Sequence, residues 1–267
     1  MNTKCAGDDR MIRAIYFDID GTLVSCRTHA VPESALRALR RAREAGVKLI
    51  LCTGRNYATS KPLIDTGLFD GAILLNGQYC LLHGECVYKN PIDRADVAAA
   101  VRGVQRGDYA IGFVSAYDNF ISDIEDQYVL AADRAGGMPA LKQGNPEDAL
   151  RMDIYQMHFY GARGTEARLT DAAHGLVAVR WSKNFADVFS KGGGKEAGMR
   201  CINRRIGVAD DETMAIGDGE NDVGMLALAG VGVAMGNASD FVKSRADYVT
   251  NDVDENGIAN AIARFVF

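Results

Sequence analysis

The chain lacks any apolar run near the roughly 20 residues a helix needs to cross a bilayer. Its start, MNTKCAGDDR, is polar and acidic rather than basic and then apolar, so a secretory leader is not expected. There is no Lys/Arg run. With 30 basic against 35 acidic residues and a formal net charge of −5, the clustered positive charge of a nucleic-acid-binding surface is missing. The six cysteines (Cys5, Cys26, Cys52, Cys80, Cys86 and Cys201) form no CxxC pair and no Cys/His cluster at zinc spacing. Free thiols in a reducing, cytoplasmic setting are expected, even though Cys80 and Cys86 flank an expected hairpin. Internal repeats and low-complexity segments are absent as well. What remains is an ordinary globular composition, 48% hydrophobic and 24% charged over 267 residues. That length accommodates one large α/β domain, or a domain with a sizeable insert. The expected partner is a small molecule, with no nucleic acid and no membrane, bound by a monomer or small homo-oligomer.

Periodicity sets the organisation. The segment before Met11 carries no fold argument. IRAIYF, from Ile12 to Phe17, is a short apolar run ending at an acidic, Gly-containing turn, as a buried parallel strand does. Between Pro32 and Ala45, Ala35, Leu36, Leu39 and Ala42 recur at helical spacing, with Pro32 at the start and Gly46 as the stop. VKLILC is a second buried strand ending before Thr53, a helix follows from about Asn56, and GAILLN is a third strand ending at Asn76. Strand and helix alternate, which predicts a Rossmann-like parallel sheet.

The rhythm breaks after Asn76. QYCLL and CVY around His83 and Gly84 read as a hairpin. A helix over 93–105, strands in YAIGFV, NFISD, DIYQMHFYG, LVAVRWS and FADVFS, and a helix over 166–173 follow, with an irregular stretch over 131–148. Antiparallel pairs with helices on one face predict a separate α+β unit. The alternation resumes after Lys195, with strands ETMAIG and VGVAM and helices over 195–205, 222–229 and 255–265. The expected division is a core of residues 11–81 and 185–267 and an inserted α+β cap of residues 82–184, joined by linkers near 76–82 and 184–190.

Chemistry concentrates at the expected strand ends, where open α/β sheets bind ligands. Asp18 and Asp20 end the first strand in FDIDGT. Two carboxylates that close repel unless a cation or shared proton intervenes, so a metal is expected; Asp18 can attack phosphorus while Asp20 handles a proton. Thr53 and Gly54, in TGR after the second strand, offer a hydroxyl and backbone N–H groups to phosphate oxygens. Arg55 can reach a substrate anion or the insert. Lys195 opens a helix after the flexible KGGG run, though Lys191 competes for the same role. GDGEND places Asp218 at another strand end as a cation ligand, with Asn221 and Asp222 behind it to orient ligands or water.

FDIDGTL, TGR, Lys195 and GDGENDVGML, in that order, resemble the four motifs of the haloacid dehalogenase superfamily. VAMGNA, FVKSRADYVTND and DENGIANAI look like the closing segment of its Cof-type sugar phosphatase branch, and NGQ at Asn76 like that branch's entry to the cap. The likeness covers about residues 12–77 and 185–267. It implies Asp18 as nucleophile, Asp20 as general acid and base, and Mg²⁺ held by Asp18, Asp218 and the backbone carbonyl of Asp20, with Asp222 behind them. It places Thr53, Gly54, Lys195, Asn221, Arg55 and Asn76 around the phosphate or substrate, and it favours Lys195 over Lys191. Glu196 and Gly198 depart from the branch's usual residues, which touches helix packing rather than chemistry.

The implied activity is Mg²⁺-dependent hydrolysis of a small phosphorylated metabolite through an aspartyl phosphate. Covalent catalysis suits a phosphomonoester, because it divides a very high barrier into two lower steps. Asp20 would take the proton of the phosphoenzyme's attacking water transiently. A phosphomutase shares the chemistry but returns the phosphoryl group to the sugar. A phosphometabolite-binding regulator would share the site without turnover, and a dehalogenase has no need of Asp20.

Overall fold

The computed structural model describes residues 11–135, 142–180 and 182–267. The segment before Met11, Cys5, Trp181, and Gly136, Gly137 and Pro139 of the irregular stretch lie outside the described residues.

The chain opens with β1 (Ala14–Phe17), α1 (Glu33–Glu44), β2 (Lys48–Cys52), α2 (Tyr57–Ile64), β3 (Gly71–Leu74), β4 (Tyr79–Leu82) and β5 (Glu85–Lys89). Every side chain of β1 and all but Lys48 of β2 are buried, as strands covered on both faces require. In α1 the buried residues Ala35, Leu39 and Ala42 form one stripe, and Pro32 stands just before the first turn.

Next come α3 (Arg94–Gln105), β6 (Ala110–Val114), β7 (Asn119–Ile121), α4 (Gln127–Ala135), β8 (Gln156–Tyr160), α5 (Ala167–Thr170), β9 (Leu176–Val179) and β10 (Phe185–Ser190). The chain then returns through α6 (Lys195–Ile206), β11 (Thr213–Gly217), α7 (Val223–Leu228), β12 (Val231–Ala234), α8 (Asp240–Lys243), β13 (Tyr248–Val249) and α9 (Gly257–Phe265).

These elements form two compact units. The first holds residues through Gly54, 62–88 and from Gly194 onward. Its eight-stranded sheet has the order β13-β12-β11-β1-β2-β3-β4-β5. All pairings from β13 to β3 are parallel, and β4 runs antiparallel to β3. The expected Rossmann-like core is therefore present, with α1 packed on α9 beside it. The second unit holds residues 55–61 and 89–193. Its five-stranded sheet has the order β7-β6-β8-β10-β9, every neighbouring pair antiparallel.

Three features differ from the sequence reading. The hairpin after Asn76 extends the parallel sheet with β4 and β5 instead of opening the insert, since antiparallel strands commonly finish the edge of such a sheet. At the other boundary, residues 184–190 are no linker: β10 is hydrogen-bonded between β8 and β9 and buried except at Ser190. The units thus divide near residues 88 and 193, against the expected 82 and 184. Finally, the stretch from Ala131 was expected to be irregular, yet α4 runs to Ala135, started by the Asp126 carboxylate accepting from the Tyr128 and Val129 N–H groups. Val129 and Ala132 pack with Ala110, Ile121, Tyr160 and Phe185. The alternate residues Ile111, Phe113, Met157, Phe159 and Val188 face α3 and α5. Helices therefore cover both faces of this sheet, not one.

The described cysteines Cys26, Cys52, Cys80, Cys86 and Cys201 are free thiols. Among the described residues, no helix is long and apolar enough to cross a membrane.

Candidate active site

β11, β1, β2 and β3 are consecutive neighbours in the first sheet and run parallel, so the loops at their carboxyl ends converge. Asp18 follows β1, with its N–H bonded to the Ile216 carbonyl at 3.0 Å. Thr53 follows β2 and is buried; its N–H reaches the Ile73 carbonyl at 2.8 Å, and its own carbonyl accepts from Asn76 N–H at 3.0 Å. Asp218 follows β11.

Lys195, the first residue of α6, is fully buried. Its Nζ donates to Asp18 Oδ1 and to Asp222 Oδ1, each at 2.5 Å, whereas Lys191 is exposed. Burial alone would push this ammonium's pKa down, but Asp18 and Asp222 more than reverse the effect and hold it above the ordinary lysine value. Lys195 therefore stays charged. Burial pushes the Asp18 carboxyl up, Lys195 opposes the rise, and Asp222 and Asp218 add to it. Asp222 is buried, and its second oxygen, Oδ2, accepts from the backbone N–H groups of Asp218 at 3.0 Å and Gly219 at 2.8 Å. The GDGEND turn is thus closed by its own last residue, which also fixes Lys195.

Asp218 accepts from Thr22 Oγ1 at 2.7 Å and from Asn237 Nδ2 at 3.3 Å. Burial raises its pKa to about 6, against the lowering by the Thr22 hydroxyl. Asp20 is exposed, in a turn closed by Gly21 N–H to the Val24 carbonyl and Val24 N–H to the Ile19 carbonyl, at 2.9 and 2.7 Å. Asn221 donates from Nδ2 to Asn76 Oδ1 at 2.9 Å. Gly54 is half-buried. Arg55 belongs to the stretch that packs with the second unit, where its guanidinium donates to the Thr59 carbonyl at 3.3 Å. A cavity of about 680 Å³ inside the second unit, lined in part by Tyr109, Asp126, Tyr160 and Arg168, includes none of these residues.

Oxygen atoms of Asp18, Asp218 and Asp222 all lie within 4.8 Å of one another. The set is all-oxygen, and three carboxylates face one ammonium, which suits a hard divalent cation. Asp222 is fully buried, with one oxygen on the Lys195 ammonium and the other on two backbone N–H groups, whereas Asp218 is only half-buried, so Asp18 and Asp218 are the better placed to hold one, with Asp222 orienting the turn behind them.

Two participants were missed in the sequence. Thr22 is fully buried with its hydroxyl on Asp218. Asn237, after β12, bridges the Gly21 carbonyl at 2.8 Å, Asp218, and the Val253 N–H at 3.1 Å. Each carries a usable signal: Thr22 lies inside the FDIDGT run, and Asn237 follows the strand next to β11.

Gly21 has φ +82, and a Cβ there would run into the Asp218 carboxylate. Gly21→Ala should therefore keep the fold, seen as an unchanged far-UV circular dichroism spectrum, while turnover falls about 100-fold through displacement of Asp218. Wild-type turnover in that variant would rule the close approach out as functionally important.

The chain matches the family described as haloacid dehalogenase-like hydrolase over residues 15–262. It is 31% identical over 255 residues to the putative phosphatase YkrA of Bacillus subtilis, covering 94% of this chain and 96% of YkrA. Among solved structures, the subclass IIB sugar phosphatase BT4131 is 35% identical with a TM-score of 0.85, covering 95% of this chain and 98% of its own. BT1666 from Bacteroides thetaiotaomicron, described among phosphatases of the same superfamily, is 34% identical with a TM-score of 0.89 over 96% of each chain. The chain belongs to the haloacid dehalogenase-like hydrolase family, as one of its phosphatases.

Proposed function

We propose that this phosphatase hydrolyses small phosphomonoesters, sugar phosphates foremost, through an aspartyl phosphate on Asp18 and with Mg²⁺ as its cation. The observation that carries the reading is the buried Lys195 ammonium held between Asp18 and Asp222. It fixes the rotation of the Asp18 carboxylate and leaves positive charge beside the place where a phosphoryl group would sit. The sugar phosphatase likeness of BT4131 supports the substrate class.

Asp18 attacks phosphorus and the ester P–O bond breaks, with Asp20 giving the departing alkoxide a proton. Water then attacks the phosphorus, Asp20 takes its proton, and inorganic phosphate leaves with Asp18 restored. Exposure of Asp20 at the edge of the cluster suits a group that must exchange protons with water. Thr53 and Gly54 offer hydroxyl and amide donors to phosphate oxygens, together with Lys195 and Asn221. Asp18, Asp218 and the Asp20 carbonyl would hold the cation. When bound, Mg²⁺ supplies charge neutralisation, allowing an anionic nucleophile to meet an anionic ester. Residues 89–193 would serve as a cap that gives selectivity for the leaving group, and Arg55 and Asn76 as further substrate-binding residues.

A phosphate-release screen over sugar phosphates, nucleotides, pyridoxal phosphate and flavin mononucleotide, with and without Mg²⁺, tests this. Turnover should be highest on a sugar phosphate and vanish in excess chelator. Isomerised sugar without free phosphate would indicate a mutase, and binding without turnover a regulator.

Asp218→Ala should lose most activity at low Mg²⁺ and recover part of it at high Mg²⁺. Because the unliganded Asp218 titrates at about 6, protons compete with the cation below that pH. Its raised pKa also means that ionised Asp218 burdens the cation-free fold as pH rises through about 6, and that protonation relieves this at lower pH. Mg²⁺ should therefore raise the melting temperature more at pH 7.5 than at pH 5. An equal shift at both would count against Asp218 as ligand.

A further inference from the structure

We infer that Asn76 is a positioning residue that clamps three separate catalytic loops together, an inference that rests on the function proposed above. Its backbone N–H donates to the Thr53 carbonyl at 3.0 Å, and its own carbonyl accepts from the Gly194 N–H at 3.1 Å. Its side-chain Oδ1 accepts from Asn221 Nδ2 at 2.9 Å. One residue thus holds the loop after β2, the residue immediately before Lys195, and the GDGEND turn. Beside the phosphate-binding part expected for Asn76 from sequence, these bonds give it a second one: the residue is 1% exposed and its Oδ1 holds Asn221.

The local backbone is built for this contact. Leu75 and Asn76 both sit at positive φ, 54° and 51°, and Gly77 N–H closes the turn onto the Leu74 carbonyl at 3.1 Å. This turn lies within the four-residue connection between the paired residues Leu74 and Tyr79, and its two central residues take a positive φ that asparagine tolerates and leucine resists. An unfavourable backbone at a buried leucine persists only where surrounding contacts demand it. Gly77, at φ +89, lets the turn approach the Gly194 carbonyl so closely that a Cβ would collide with it. The turn and the start of α6 are therefore fitted to each other, and Lys195, one residue on, inherits its place from that fit. Since Lys195 in turn grips Asp18 and Asp222, Asn76 acts on the chemistry through these groups.

Three substitutions separate the links. Asn76→Gly accepts the left-handed backbone and keeps both main-chain bonds but loses the hold on Asn221. Its kcat/KM should fall about tenfold. Asn76→Asp keeps an acceptor for Asn221 and a tolerable backbone, and should restore most of that loss. Asn76→Ala loses the side chain and strains the turn, and should fall about 100-fold. Combining Asn76→Gly with Asn221→Ala should be no worse than the poorer single variant, because both break one bond. Amide hydrogen exchange at Gly194 should quicken in Asn76→Ala and stay protected in Asn76→Gly. Multiplying effects in the double variant, equal impairment of Asn76→Gly and Asn76→Asp, or an unchanged Gly194 amide in Asn76→Ala would each overturn the clamp. A wild-type protein without phosphatase turnover would refute the proposed function instead, and the exchange measurement would still decide the clamp.

Discussion

Asp18→Asn should abolish turnover, by about 10⁴-fold or more, and no phosphorylated protein should be recoverable from it. The expectation follows from position: Asp18 is the carboxylate at the end of β1 whose Oδ1 is bound by Lys195, so its orientation is set before substrate arrives. An amide of the same shape cannot attack phosphorus, and the remaining donors give only residual catalysis. Asp20→Asn should behave differently. Without a proton donor and acceptor both steps slow, but an aryl phosphate has a leaving group that needs little protonation, so the first step is spared relative to the second. Phosphoenzyme should then build up. Rapid acid quench followed by intact mass measurement should find the added phosphoryl group on the Asp20 variant and none on the Asp18 variant. The reverse pattern would mean that the two roles are exchanged.

Lys195→Met should cost both activity and stability. Methionine fills nearly the same volume without charge, so the two carboxylates that now share one ammonium would be left unpaired in a buried site. Breaking a buried ion pair by removing one partner typically costs about 3–5 kcal/mol. Losing one preorganised donor at the transferring group should lower kcat by about 10²–10³. The sign of the pH dependence is fixed by Asp18, whose folded pKa already lies above its ordinary value through burial. Such a group weakens the fold once ionised and is relieved by protonation, so the variant's deficit should be largest at alkaline pH and shrink as pH falls through the raised value. Urea denaturation in chelator at pH 8 and pH 5 measures this. A deficit larger at pH 5 would show that the unpaired carboxylates are not its source.

A good part of this protein is legible in one dimension. Buried parallel strands announce themselves as short apolar runs that stop at chemistry-bearing turns, and β1, β2, β3, β11 and β12 are all of that kind. Since carboxyl ends of neighbouring parallel strands gather on one side, the strand ends were enough to bring Asp18, Thr53 and Asp218 to a common place on paper, while the choice of Lys195 over Lys191 came from the family resemblance.

Membership of strands in sheets was decided only in three dimensions. FADVFS reads as a strand, but nothing local says which sheet completes its hydrogen bonds, and β10 pairs with β8 and β9 in the second unit. Likewise the hairpin after Asn76 carries the same alternation whether it ends one sheet or starts another. The helix α4 escaped because its sequence continues directly into a glycine-containing stretch, and its burial depends on Tyr160 and Phe185, far along the chain.

Local periodicity and residue chemistry therefore carry most of the elements, the parallel core and the kinds of group available at its strand ends. Tertiary structure alone decided which oxygen meets which donor. That Lys195 is buried between Asp18 and Asp222, that Asp222 spends its other oxygen on its own turn, and that Asn76 bonds to three loops at once are consequences of packing between residues up to 177 positions apart. No local pattern encodes such distances; they exist only after the strands have aligned and the buried polar groups have found partners.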